Sequence, residues 1–147
     1  MIVETARGED VPALCTLLDY LFAQEVEFRP DREAQRRGLE IIIANPDVGT
    51  ILVARRKGAV IGMVNLLFTV STALGRKVAI LEDMVVLPEH RAAGTGSRLL
   101  KAALRHAAEQ GCGRITLLTD ADNLAAQRFY RRHGFELSPM VPMRLAL

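Results

Sequence analysis

The stretch from Leu81 to Leu100 constrains the fold most, because it joins several kinds of local structure. Its residues, LEDMVVLPEHRAAGTGSRLL, follow the pattern of an apolar strand, a break at Pro88, a glycine-containing turn and an amphipathic helix. At such a junction, free backbone N–H groups and the positive end of the helix dipole point at one place. The stretch therefore predicts an anion site at the turn, and phosphate is the usual occupant of such a site.

The composition is that of a globular protein. The chain has 147 residues, of which 50% are hydrophobic and 24% are charged, so we expect a single domain across residues 1–147. The net charge of +2 is too small to indicate a nucleic acid or a membrane surface as a partner.

Signals for other classes of protein are weak. The start of the chain does not read as a secretory signal, and no apolar run reaches the roughly 18 residues of a membrane helix. We therefore expect no membrane association and a cytoplasmic location. Cys15 and Cys112 lack CxxC spacing, and no set of His, Cys, Asp and Glu residues has metal-ligand spacing, so no metal is expected.

Hydrophobic periodicity predicts a mixed α/β architecture. Helices are predicted at about 10–23, at 31–44, after the glycine turn and at about 123–132, with a connection at 25–30. Strands are predicted at 2–7, 50–56, 59–71, 77–87, 114–119, 135–137 and 142–147. Lys57-Gly58, between the second and third strands, has the chemistry of a hairpin turn.

Two motifs in the second half of the chain indicate a family. Two glycines in a turn are weak evidence alone, because any tight loop uses glycine for its backbone dihedrals. The turn at Arg91–Gly96 reads R-x-x-G-x-G, and the later stretch Asn123–Phe135 reads N-x-x-A-x-x-F-Y-x-x-x-G-F. Together they resemble the two acyl-CoA motifs of the GNAT superfamily of N-acetyltransferases. Val86-Leu87-Pro88, before the turn, fits the same resemblance.

The resemblance implies a fold and a position for acetyl-CoA. It implies a central mixed, mostly antiparallel sheet of about six or seven strands, flanked by about four helices. The fourth and fifth strands would splay apart and hold acetyl-CoA between them. The implied contacts with its pantetheine arm and pyrophosphate involve Val85, Val86, Leu87, Arg91, Ala92, Ala93, Gly94, Thr95, Gly96, Ser97, Asn123, Phe129 and Tyr130.

The reaction needs a proton donor and a proton acceptor. The resemblance implies that Tyr130 approaches the thioester sulfur, where its hydroxyl is a reasonable acid for the leaving thiolate; a tyrosine packed in the core is the alternative. An amine of pKa about 10.4 is neutral only about once in 10³ at pH 7, so a base is required. Glu82 and Asp83 are the candidates, and strand alternation sends them to opposite faces. A structural salt bridge or hydrogen bond would explain either carboxylate equally well.

These residues lead to one function and two alternatives. The expected function is direct transfer of the acetyl group of acetyl-CoA to a primary amine, with a small molecule favoured over a protein as acceptor. A strand amide near Val85 or Val86, freed by a bulge, would stabilise the oxyanion. The alternatives are an acyltransferase with another acyl-CoA or another acceptor, and a non-catalytic module that binds or senses CoA. The resemblance is also compatible with a homodimer.

The resemblance implies an acceptor site made by the first two helices, the loop before the fourth strand and the final strands, which are the least motif-like parts of the chain. These are segments 25–37, 68–77 and 138–144, with Phe28, Arg29, Phe68 and Met140 as candidate lining residues, although each is equally compatible with a core or surface position. A basic mouth of Arg29, Arg32 and Arg36 would favour an acidic or phosphorylated amine.

Overall fold

The computed structural model describes residues 1–24 and 29–147. Its strands are β1 (Ile2–Thr5), β2 (Gly49–Arg56), β3 (Ala59–Ser71), β4 (Arg76–Val86) and β5 (Ile115–Leu117). Its helices are α1 (Val11–Gln24), α2 (Arg32–Ala44), α3 (Thr95–Glu109) and α4 (Leu124–Arg132), with short 3₁₀ turns at Gly8–Asp10 and Pro88–His90. Residues 25–28 of the predicted connection, including Phe28, lie outside the described residues.

The strands form one five-stranded sheet in the order β1-β2-β3-β4-β5. Pairs from β1 to β4 are antiparallel, and β5 joins β4 in parallel, so the sheet is mixed and mostly antiparallel, as predicted. The turn between β2 and β3 places Lys57 at φ 51° and Gly58 at φ 81°. Positive φ at both central residues is the geometry of a two-residue hairpin turn, which confirms that interpretation.

Helices cover both faces of the sheet. Leu14 of α1 and Leu39 of α2 pack with Ile51 in one apolar cluster, while Leu99 of α3 packs with Leu52 in the other. The neighbouring residues Ile51 and Leu52 of β2 therefore pack on opposite faces of the sheet, as the two-residue period of a strand requires. The half-buried aromatic side chains of α4 pack against the cluster on the α3 side.

A partly buried ion-pair network connects β1 and the turn after it to β2. The carboxylate of Asp10 accepts hydrogen bonds from the Arg55 guanidinium at 3.1 and 3.0 Å, and from the backbone N–H of Arg7 at 2.8 Å. Arg55 also donates from Nε to Glu4 at 2.7 Å. Burial alone would raise the pKa of Asp10, but the hydrogen bonds from Arg55 and Arg7 hold that pKa below its usual value.

The two strands predicted near the end of the chain are wrong. Residues 135–137 and 142–147 have no strand structure, and the described sheet has five strands rather than six or seven. Pro139 and Pro142 interrupt this segment, and each lacks the N–H group that a ladder hydrogen bond requires. Apolar side chains such as Met143 therefore stay exposed.

Within the described residues, no helix is long and apolar enough to cross a membrane.

Candidate active site

A cleft opens where β4 and β5 part. The two strands pair from Ala79↔Ile115 to Leu81↔Leu117, and beyond that point β4 continues to Val86 beside β3 alone. The resulting space, called the splay cleft here, has a volume of about 950 Å³. Its walls come from the end of β4, the chain after β5, the start of α3, α4, the end of α1 and Pro142–Arg144. The predicted divergence of the fourth and fifth strands is therefore present.

A β-bulge lies at the acidic pair of β4. Met63 pairs with Val85 and Asn65 pairs with Glu82, so Asp83 and Met84 together oppose a single residue of β3. Asp83 adopts φ 51°, which is unusual for a residue other than glycine and marks the bulge. The extra residue interrupts the alternation of side chains. Asn65, the register partner of Glu82, also hydrogen-bonds to the carboxylate of Asp83, so the two acidic residues lie on one side of the sheet and the prediction of opposite faces is wrong. Both residues line the splay cleft.

Both carboxyl groups have raised pKa values. Burial raises the pKa of Asp83, and a 3.2 Å hydrogen bond from Nδ2 of Asn65 opposes this effect. Burial also raises the pKa of Glu82, the neighbouring Asp83 raises it further, and the positive charge of Arg144 lowers it. A carboxylate whose pKa lies closer to neutral pH is a better proton acceptor for an amine.

Tyr130 lies on the α4 wall of the splay cleft. Its ring packs edge-on against Phe129 at 5.3 Å and Phe135 at 5.6 Å, between ring centroids. Burial raises the pKa of Tyr130 to about 12, so the hydroxyl keeps its proton across the physiological range. A protonated hydroxyl facing the cleft is able to donate that proton to a leaving group.

The glycine turn leaves the start of α3 uncapped by any side chain. Gly94 is the N-cap residue at φ 79°, and no side chain of the described residues accepts from the first-turn N–H groups. Arg91 folds back from this turn, and its Nε donates to the backbone carbonyl of Val86 at 2.9 Å. The turn therefore keeps the properties of an anion site and stays attached to the cleft-facing edge of β4.

The predicted site residues fall into two groups. Those that line the splay cleft are Glu82, Asp83, Val85, Val86, Arg91, Gly96, Asn123, Phe129 and Tyr130. Those outside its lining are Leu87, Ala92, Ala93, Gly94, Thr95 and Ser97.

The predicted pairing of Leu87 with the pantetheine arm is not favoured by its contacts. Its N–H donates to the carbonyl of Ile61 at 2.9 Å, and its own carbonyl accepts from the N–H of His90 at 2.9 Å. Asn123 has a structural contact as well, because its Oδ1 accepts from the N–H of Ala126 at 3.1 Å and caps α4.

In the part of the chain that the structure describes, the predicted basic mouth does not form at the splay cleft. Arg32 pairs with Asp19 at 2.7 Å, and Arg36 pairs with Glu33 and Glu40 on its own helix. Neither arginine lines the splay cleft, and neither do Arg29, Phe68 and Met140. The Phe68 ring instead lies 5.1 Å from Nζ of Lys77. The basic side chains that do line the cleft are Arg91 and Arg144.

Sequence reasoning missed Asn65 altogether. This residue is 2% exposed in the middle of β3, and it reaches the acidic pair from the neighbouring strand. A polar residue inside the apolar run of β3 was a visible signal, since a buried amide is costly without a partner.

Among the described residues, no group of three or more His, Cys, Asp or Glu side chains is arranged to hold a metal ion.

Comparisons with known proteins define the class. The model of the acetyltransferase (GNAT) family matches residues 15–135. The N-acetyltransferase YhfO of Bacillus subtilis, itself uncharacterized, is 32% identical over 139 residues, covering 92% of this chain and 90% of YhfO. Aminoalkylphosphonate N-acetyltransferase of Salmonella typhimurium is 30% identical over 133 residues, covering 90% of this chain and 83% of that protein.

A solved structure has a similar fold. An integron cassette protein from the mobile metagenome of Cole Harbour Salt Marsh superposes with a TM-score of 0.85 and 26% identity, over 99% of this chain and 90% of that one. The chain therefore belongs to the GNAT family of acetyltransferases, and it is an acetyltransferase enzyme.

Proposed function

We propose that the protein transfers the acetyl group of acetyl-CoA directly to the primary amine of a small acceptor molecule. The observation that carries the proposal is that Tyr130, Glu82 and Asp83 line one cleft, at the point where β4 and β5 part. A proton donor on α4 and proton acceptors on β4 thus share one volume. Transfer of an acetyl group to an amine requires this pair of roles.

Three features support a fit to acetyl-CoA, which supplies an acetyl group activated as a thioester. The first-turn amides of α3 have no side-chain cap, the turn at Ala92–Gly96 has only small side chains, and Arg91 adds positive charge. An anionic pyrophosphate is suited to that place. Within the described residues, the edge of β4 beyond Leu81 has no strand partner on the β5 side, which leaves room for an extended chain.

Val86 is the best-placed donor for the carbonyl oxygen of the acetyl group. The N–H of Leu87 donates to the carbonyl of Ile61 on β3, so this N–H faces β3. Adjacent residues of a strand alternate in the side that their backbone groups face, and we infer that the N–H of Val86 faces the splay cleft. One such donor lowers an acyl-transfer barrier by about 3 kcal/mol.

The remaining residue roles follow from the proton balance. Glu82 or Asp83 accepts a proton from the acceptor nitrogen, which keeps its electron pair and bonds to the acetyl carbon. The carbon–sulfur bond breaks, and Tyr130 donates its proton to the departing sulfur. Cys15 is buried in the core, and Cys112 is half-buried after α3. Neither thiol lines the cleft, which favours direct transfer over a covalent enzyme intermediate.

We propose further that the acceptor amine carries an acidic group. Arg144 lines the splay cleft, and its charge acts on Glu82, so a cation lies beside the proposed proton acceptors. An amine held near these carboxylates would place an attached anionic group within the field of this arginine. The name of the Salmonella relative, an aminoalkylphosphonate N-acetyltransferase, fits this chemistry.

An acetylation screen tests both statements. Purified protein is mixed with acetyl-CoA and aminoalkylphosphonates, amino acids, polyamines or aminoglycosides, and CoA release and acetylated product are measured. We expect product with amines that carry an acidic group, and much less with polyamines. Turnover only with longer acyl-CoA donors or with alcohols would favour the alternative acyltransferase. Tight CoA binding without turnover across the panel would contradict catalysis and favour a sensing module.

A further inference from the structure

Asn65 has no evident structural reason to be polar. Its neighbours on β3, Val64 and Leu66, are fully buried, and Asn65 itself is 2% exposed. An amide in such a place is costly unless both of its ends are hydrogen-bonded. Its Oδ1 has no hydrogen-bond partner among the described residues, so only the Nδ2 end of the amide is hydrogen-bonded. An apolar side chain would avoid that cost, which points to a role outside packing.

The satisfied end of the amide meets Asp83. Nδ2 of Asn65 donates to Oδ2 of Asp83 at 3.2 Å, from the adjacent strand. In the register of β3 and β4, Asn65 stands opposite Glu82, and the bulge brings the next residue, Asp83, within its reach. The backbone of Asp83 holds φ 51° there. The hydrogen bond thus joins a buried amide to a carboxylate that a strained backbone turns into the cleft.

The two carboxylates differ in their surroundings. Glu82 is the more exposed of the two, and its pKa responds to its partial burial, to Asp83 and to Arg144. Asp83 is half-buried and has a fixed donor in Asn65. The charged or titratable side chains that line the cleft with Asp83 are Glu82, Arg91, Asp120, Tyr130 and Arg144. Across the strand pair, β3 presents the uncharged Asn65, and α1 presents the uncharged Gln24 to the cleft.

We propose that Asn65 is a positioning residue, which fixes the carboxylate of Asp83 so that Asp83, rather than Glu82, takes the proton of the acceptor amine. This inference rests on the proposed function. The N–H bond of the amine breaks, an O–H bond forms on Asp83, and the electron pair stays on nitrogen. Because a hydrogen bond to the charged form favours ionisation, Asn65 also keeps Asp83 a competent proton acceptor in spite of its burial.

A titration of Asp83 tests the positioning without any substrate. The side-chain carboxyl carbon of Asp83 is followed by NMR from acid to neutral pH in the wild type and in Asn65→Leu, which is similar in size and removes the donor. We expect the midpoint of Asp83 to rise by about one pH unit. Asn65→Thr, which keeps a hydroxyl donor, should shift the midpoint less. An unchanged or lowered midpoint in Asn65→Leu would overturn the positioning role.

The pH dependence of the reaction tests the assignment of the proton acceptor. The acid limb of kcat/KM should move to higher pH in Asn65→Leu, persist in Glu82→Gln and vanish in Asp83→Asn. Loss of the limb in Glu82→Gln with its retention in Asp83→Asn would overturn the assignment, even if Asn65→Leu does not fold. If the wild type is inactive with every amine, that result contradicts the proposed function and not the positioning role. The NMR titration then still decides whether Asn65 sets the titration midpoint of Asp83.

Discussion

Arg91 donates from Nε to the backbone carbonyl of Val86 across 2.9 Å, which joins the glycine turn to the edge of β4. The two ends of the proposed CoA site, pyrophosphate and thioester, are therefore held in one piece of structure. Arg91 is engaged through Nε, and among the described residues no hydrogen bond or ion pair engages its terminal guanidinium nitrogens, so they are available to a phosphate. This arrangement gives the first prediction.

Arg91→Ala should weaken CoA binding about tenfold, because a charged contact with the pyrophosphate is lost. Binding of pantetheine, which lacks the pyrophosphate, should change much less. Isothermal titration calorimetry measures both ligands. Arg98→Ala is the matched control, since Arg98 lies on α3, outside the cleft lining, and contacts the carbonyl of Met1. Equal losses in the two variants would contradict a pyrophosphate role for Arg91.

Tyr130→Phe should lower kcat by about 10²-fold, the usual effect of removing a general acid. The affinity for CoA should stay within about twofold, because the ring and its packing against Phe129 and Phe135 are kept. Burial raises the pKa of Tyr130 to about 12, so its hydroxyl stays protonated up to pH 10. Loss of this proton should therefore not lower the wild-type rate in that range. Steady-state kinetics and CoA titration check these expectations.

The control for this variant is Tyr20→Phe, because Tyr20 is an exposed tyrosine on α1 outside the cleft lining. If Tyr130→Phe turns over as fast as Tyr20→Phe, Tyr130 is a packing residue and not an acid.

Local patterns predicted most of the fold. The bounds of β3 are the predicted ones, 59–71, because the strand is a long apolar run with the Lys57-Gly58 turn before it. That hairpin turn and helix α3 were predicted from equally local signals, namely turn residues and a helical spacing of apolar residues. The final strands failed, since apolar residues suggested strands while Pro139 and Pro142 removed the donors that a ladder needs.

The chemistry of the site was only partly predictable. Motif residues such as Arg91 and Tyr130 are visible in one sequence, because their spacing is local. The bulge at Asp83 is not visible, since an extra residue in one strand shows only in the register with its partner. That register also brings Asn65 to Asp83, 18 positions away in the chain. The sequence marks Asn65 as unusual, but only the fold identifies its partner.

Asp10→Asn should lower the free energy of unfolding at pH 7 by about 1–2 kcal/mol. This figure is smaller than that of a fully buried ion pair, because Arg55 is partly exposed and solvent screens its charge. The folded-state pKa of Asp10 lies below the usual value of 3.8, so its contribution is full above that value and is lost as pH falls through the folded-state pKa. The variant and the wild type should therefore converge as pH falls below the folded-state pKa of Asp10.

Urea unfolding at several pH values measures this convergence. Asp47→Asn is the control, because Asp47 is exposed on the loop before β2 and should leave stability unchanged. A difference between wild type and Asp10→Asn that stays constant down to acid pH would show that the ion pair with Arg55 is not its source.

Asp83→Asn should lower activity and yet stabilise the protein at pH 7. The folded-state pKa of Asp83 is raised above 3.8, so the folded state binds more protons than the unfolded state, and stability declines as pH rises through that window. Asparagine carries no charge, still accepts from Asn65 and tolerates the φ of 51°. We expect Tm to rise by roughly 2–4 °C at pH 7. The gain should vanish near pH 3, where the carboxyl group is protonated in both states.

Glu82→Gln, at the more exposed neighbour, should give a smaller gain, and thermal unfolding at both pH values compares the two variants. A lower Tm in Asp83→Asn at pH 7 would mean that the ionised carboxylate stabilises the bulge, and that Asp83 is there for structure.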